Sequence, residues 1–154
     1  MLNPNTLPWS GGCRCGQLRF EVTEAPMVTM ACHCRGCQQM TGGPYSLSTL
    51  FPKSGFKVTA GDPVVGGLHG EIRHMHCAHC LCWVFTEPPG MPMVNVRSTM
   101  LDDAADAAPY VEIYTSEMLP WAETGAPHRF EKFPDDGAWM PLIRAYMAKA
   151  AADG

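Results

Sequence analysis

The sequence predicts a mainly β domain with short helices, one longer helix near its C-terminal end, and a core held together by metal. Three observations lead there. Short runs of alternating apolar and polar residues recur along the chain. Proline and glycine, 29 of 154 residues together, punctuate those runs. Leu, Ile, Val and Phe total only 28 of the 154, while eight cysteines fall in three tight clusters. So sparse an aliphatic core needs a second stabilising device, and the cysteines are the candidates. Disorder would pair this composition with a high net charge, but 11 basic and 15 acidic residues leave only −4. That balance also argues against binding nucleic acid through phosphate neutralisation. No run approaches the ~20 apolar residues of a membrane helix. The opening MLNPNTLPWSGG has neither a basic head nor an apolar stretch. It does not read as a signal peptide, and the expected compartment is the cytoplasm.

Taken in order, alternation predicts strands at Leu18–Val22, Val28–Ala31, Tyr45–Phe51, Phe56–Thr59, Ile72–His76, Trp83–Thr86, Met93–Arg97 and Tyr110–Tyr114. Turn signals separate them, among them Thr41-Gly42-Gly43-Pro44, Gly61-Asp62-Pro63, Gly66-Gly67 and Pro88-Pro89-Gly90. Ala138–Ala151 reads as the one sustained helix. It has Trp139, Leu142, Ile143 and Tyr146 on one face and Pro141 in its first turn. Many short strands with few helices make a mainly β fold. No internal boundary is visible, so residues 1–154 are expected to form a single domain, with its core about 10–135 and the helix at 138–151.

The cysteine clusters are Cys13-x-Cys15, Cys32-x-Cys34-x-x-Cys37 and Cys77-x-x-Cys80-x-Cys82. In a reducing compartment such spacings point to metal before disulfides. Cys13 and Cys15, at the start of a strand, with Cys77 and Cys80, at a knuckle between two strands, would make a closed four-thiolate zinc site joining distant segments. Cys32, Cys34 and Cys37 remain. They either hold a zinc with an open fourth position, the mark of a catalytic ion, or complete a second closed site with Cys82, His33 or another histidine. Cys82 shares a strand face with Cys80 and Val84 and reads as a buried small hydrophobe. His74, His76 and His79 beside Cys77 read as a polar strand end rather than as a third metal cluster.

Several segments together resemble the glutathione-dependent formaldehyde-activating family, which includes a centromere-associated branch. They are Gly12-Cys13-Arg14-Cys15-Gly16, Cys32-His33-Cys34-Arg35-Gly36-Cys37 and Cys77-Ala78-His79-Cys80 with Trp83 and Phe85 following. Leu101-Asp102-Asp103, Pro120-Trp121 and Arg129-Phe130-Glu131-Lys132-Phe133-Pro134 add to them. The resemblance implies the β-tent zinc fold and two zinc ions per chain. One would be structural on Cys13, Cys15, Cys77 and Cys80; the other would be catalytic on Cys32, Cys34 and Cys37. It implies addition of glutathione to formaldehyde, formally carbon–sulfur lyase chemistry, with glutathione and a small aldehyde as partners. The family usually has glycine where this chain has Leu81, so the knuckle backbone is expected to differ here.

A three-thiolate zinc is a weak Lewis acid but a good partner for a fourth sulfur. It would hold the glutathione thiolate against a small carbonyl compound. Arg35 either meets a glutathione carboxylate or is an exposed arginine on a polar turn. The proton donor is open among His33, His79 and water. Trp121 and Phe51 either line a pocket or are core. Two other functions compete: a thiol-dependent enzyme acting on another electrophile, and a non-catalytic zinc-stabilised module that binds a protein.

Overall fold

Alternation of side chains across each strand decides which surfaces this chain buries. The computed structural model describes residues 1–68 and 70–153. Its strands are β1 (Trp9–Gly12), β2 (Arg19–Val22), β3 (Val28–Cys32), β4 (Ser46–Pro52), β5 (Phe56–Ala60), β6 (Pro63–Gly66), β7 (Arg73–Cys77), β8 (Trp83–Glu87), β9 (Met93–Arg97), β10 (Val111–Ile113) and β11 (His128–Arg129). The helices are α1 (Arg35–Thr41) and α2 (Asp136–Asp153). The fold is therefore mainly β with two α-helices, one of them C-terminal. No helix among the described residues is long and apolar enough to cross a membrane.

A three-stranded sheet runs β1-β2-β5, and an eight-stranded sheet runs β11-β10-β3-β4-β9-β8-β7-β6. Pairing is antiparallel except that β10 runs parallel to β3 and β11. One core contains Leu18, Phe20 and Val22 of the small sheet's β2 region with Phe51, Val84, Phe85, Val94 and Val96 of the large one. A second lies on α2: Trp139, Leu142, Ile143 and Tyr146 pack with Val28, Met30, Leu50, Val111 and Ile113. Ion pairing adds a tie, since Asp102 bonds Arg19 through both guanidinium branches while its amide donates to the Ser10 carbonyl at 2.9 Å.

The predicted helix face is the buried one, but α2 begins two residues earlier than the pattern suggested. Asp135 Oδ1 accepts from the Ala138 amide at 2.9 Å, and Pro141 lies inside the helix rather than in its first turn. Proline there removes one intrahelical bond, and the packed apolar face offsets the loss. Register places the site. Met30 pairs with Ser48 and Ser48 with Arg97, while Cys32 pairs with Ser46. Residues two apart share a face, so Met30, Cys32, Ser46, Ser48, Asn95 and Arg97 project from one side of the large sheet.

Candidate metal centre

The first cysteine group joins the two sheets. Cys13 and Cys15 sit in the turn between β1 and β2; Cys77 ends β7 and Cys80 lies in the turn that leads to β8. Their four sulfurs all lie within 4.8 Å of one another, with Cys13 to Cys15 at 3.4 Å and Cys15 to Cys77 at 3.7 Å. A tetrahedral ion with sulfurs about 2.3 Å away requires sulfur–sulfur separations of about 3.8 Å. Soft thiolates at that spacing fit zinc. Local backbone geometry prepares the set: the Leu18 amide donates to Cys13 Sγ at 3.3 Å, and Gly16 turns the chain with φ +77°. Crowding drives the thiols apart in acidity. Cys80 is drawn down to about 5 by the backbone N–H groups of Cys82 and Cys15. At Cys15 the Gln17 amide favours the thiolate, but burial and the neighbouring sulfurs push it up to about 12.

The second knuckle corrects the expectation raised by Leu81. Its backbone does adopt the left-handed turn, with φ +57° at Leu81 and its amide bonded to the Cys77 carbonyl at 3.0 Å. The side chain is 68% exposed, so little packing repays the strain. Leu81→Gly is expected to stabilise the protein by about 1 kcal/mol, raising Tm by roughly 2–4 °C; thermal unfolding checks it, and an unchanged or lower Tm refutes it. Cys82 departs from expectation in place and burial, since it precedes β8 rather than lying on it and is half-buried; it stands outside the four-sulfur group, which fits the reading of a small hydrophobe.

The second group is built at the junction of β3 and α1. Cys32 ends the strand; Cys34 caps the helix, its sulfur accepting from the Cys37 amide at 3.4 Å; Cys37 lies in the first turn. Their sulfurs too lie within 4.8 Å. Among the described residues no histidine, carboxylate or fourth cysteine joins them. The Cys37 thiol is drawn down to about 6 by its bond with Cys32, against its burial, and the same pairing pushes Cys32 up. Buried Gln38 ties the loop down, donating to the carbonyls of His33 at 2.7 Å and Glu117 at 2.9 Å.

His33 is fully buried and faces away from ligand duty. Its Nε2 lies 3.3 Å from Glu112 Oε1. That carboxylate also receives the Thr124 amide and hydroxyl at 2.8 and 2.7 Å and pairs with Arg129 at 2.9 Å. His79 is exposed and borders the four-cysteine turn, so it is remote in sequence and setting from the trio. His74 is not merely a polar strand end: it accepts or donates with the Thr86 hydroxyl at 3.1 Å and stands edge-on to Trp83. Arg35 is exposed, bonded to Gln38 Oε1 at 3.2 Å, on a shallow groove shared with Trp121. Trp121 is 72% exposed and so is not core, whereas Phe51 is fully buried core against Trp9.

Beside the trio lies a cavity of about 360 Å³ that includes Cys32 and Cys37 in its wall. Its lining is mostly apolar, from Met30, Leu50, Met93 and Trp139 among others. Three of its residues escaped sequence reading. Arg97 is 4% exposed, with its guanidinium 4.0 Å above the Trp83 ring. Its Nε and Nη1 find no hydrogen-bond partner among the described residues, and burial lowers it to about 10. Asn95 Oδ1 is likewise buried without a partner there. Tyr114 follows β10 in a left-handed conformation at φ +57°, a strain that persists only where the surroundings impose it.

The profile of the glutathione-dependent formaldehyde-activating enzyme family matches residues 8–117. A solved protein from Rhodobacter sphaeroides is 18% identical, covering 63% of this chain and 91% of that one, with a TM-score of 0.52. That likeness is one of fold. No curated protein matches the chain.

Proposed function

This chain belongs to the glutathione-dependent formaldehyde-activating enzyme family, and we propose that it is a zinc-dependent enzyme forming or cleaving a carbon–sulfur bond between glutathione and a small carbonyl compound. The observation that carries this reading is the incomplete trio. Cys32, Cys34 and Cys37 converge with no fourth protein ligand among the described residues, and two of them border a cavity. A zinc ion bound there supplies a soft cation that keeps one further thiol ionised at neutral pH. The protein's own residues do the rest. The Cys34 cap and the Gln38 clamp hold the three sulfurs in place. Arg97 sets a positive charge beside an assembly whose three thiolates outweigh a divalent ion by one. Arg35 offers a guanidinium to a glutathione carboxylate. Cys13, Cys15, Cys77 and Cys80 hold the structural zinc, and residues 1–154 act as one unit around both sites.

Cobalt replacement tests this. Titrating the cobalt protein with glutathione is expected to change the sulfur-to-cobalt absorption and release a proton at neutral pH. S-methylglutathione, which has no thiol, should leave the spectrum unchanged. No response to millimolar glutathione removes the proposed role of the trio.

A further inference from the structure

The cavity is far larger than formaldehyde requires. A volume of about 360 Å³ equals roughly a dozen water-sized groups, and formaldehyde has two heavy atoms. Its walls would gain nothing from so small and polar a molecule. Met30, Leu50, Ile72, Met93, Phe133 and Trp139 present aliphatic, thioether and aromatic surface, which favours an apolar occupant. Polar groups enter the lining on β9 and around the trio, with His74, Thr86 and Asp136 from β7, β8 and α2. Arg97 and Asn95 lie two residues apart on one strand face, so both project the same way. Each brings atoms without a partner among the described residues: donors on Arg97, an acceptor on Asn95. The anionic trio beside Arg97 offsets its charge, but buried N–H donors left without an acceptor still carry a cost. Stacked on Trp83, the guanidinium is held in place before any ligand arrives.

The geometry points to an electrophile with an apolar body, a medium-chain or aryl aldehyde, whose oxygen accepts from Arg97 while its chain fills the cavity; Asn95 Oδ1 is placed for the hydroxyl of the adduct. This rests on the thiol-addition reading above and adds the substrate class. In the step, the thiolate sulfur attacks the carbonyl carbon. A carbon–sulfur bond forms as the carbon–oxygen π pair moves onto oxygen. Arg97 faces the resulting oxyanion, which takes a proton from water; Asn95 Oδ1 then accepts from the new hydroxyl. Reversal deprotonates the hydroxyl and breaks the carbon–sulfur bond, with no oxidant or reductant required.

Binding tests the cavity independently of turnover. Trp83 and Trp139 line it, so tryptophan fluorescence of the zinc-loaded protein reads its occupancy by hexanoate, an unreactive stand-in for the aldehyde. Hexanoate is expected to bind at least tenfold more tightly than acetate. Arg97→Lys, which keeps the charge but loses the fork, should weaken hexanoate at least fivefold, and Met91→Trp, at the cavity wall, should also weaken it. Hexanal with glutathione should then be turned over with a higher kcat/KM than formaldehyde. Equal affinities for acetate and hexanoate, or hexanoate binding indifferent to Arg97→Lys, overturn the proposal even if formaldehyde is consumed. If hexanoate binds selectively but neither aldehyde is consumed with glutathione, the thiol-addition reading fails and the substrate assignment falls with it.

Discussion

Cys77→Ser is expected to abolish the cooperative fold, with Cys13→Ser behaving alike. Cys77 is 2% exposed, sits in the core between the sheets, and ends β7 three residues before Cys80. Cys13 and Cys15 reach it from the turn between β1 and β2, so a metal held by the four would clamp the two sheets together. Structural zinc contributes about 10–16 kcal/mol in apparent terms in zinc-finger peptides, while a whole domain has a net stability of only about 5–15 kcal/mol. Losing most of that leaves nothing to hold so aliphatic-poor a chain. Cys34→Ser is the contrasting case. It lies outside both core clusters, and serine is itself a good helix cap, so the variant should fold, lose one equivalent of zinc and lose activity. Cys82→Ala should keep the wild-type zinc content. Thermal unfolding with metal analysis of the purified variants decides the matter; equal melting losses for Cys77→Ser and Cys34→Ser would refute the division between a structural and a functional site.

Eight strands were legible because their alternation is local, and Met93–Arg97 coincides in sequence and structure. The missed elements lack that signal. Strand β1 reads Trp-Ser-Gly-Gly, and its glycines are required by close approach: a Cβ on Gly11 would stand 2.3 Å from Phe20 Cζ. Strand β6 is an edge strand opened by proline, with no buried residue. Strand β11 has two residues. Helix α1 has one buried side chain, Gln38, so no apolar period marks it. The cysteine groups were readable for the opposite reason, since most of the ligand spacing lies within a few residues. Arg97 was not. In sequence it is one of seven arginines, at the end of an ordinary strand; only the pairing of β9 with β4, and of β4 with β3, sets it beside Cys32 and Cys37 and over Trp83. The role of Leu81 was visible as an oddity, but its conformation depends on the knuckle around the sulfurs and not on leucine's own preference.

Glu112→Ala is expected to cost about 3–5 kcal/mol, the range for removing one partner of a buried charged network. Glu112 is fully buried on β10. Burial opposes its ionisation, yet the Thr124 hydroxyl and amide and the neighbouring His33 hold its carboxyl below the ordinary range. Truncation leaves the His33 ring and the Thr124 amide without their shared acceptor and Arg129 without its counter-charge. The damage should reach the trio, because His33 stands between Cys32 and Cys34 and its amide bonds the Ile113 carbonyl at 3.0 Å, anchoring the loop to the same strand. Groups that orient a ligand-bearing segment typically govern metal affinity by a factor of ten or more, so the trio's zinc should be lost to a competing chelator at least tenfold more readily. Glu112→Gln keeps an oxygen for Thr124 but gives up the charge facing Arg129, and it should fall between wild type and alanine in both measurements. Denaturant unfolding and chelator competition read the two effects separately. A loss below about 1 kcal/mol, within the range of a surface pair, with unchanged zinc retention would mean that the network neither supports β10 nor sets the trio's geometry.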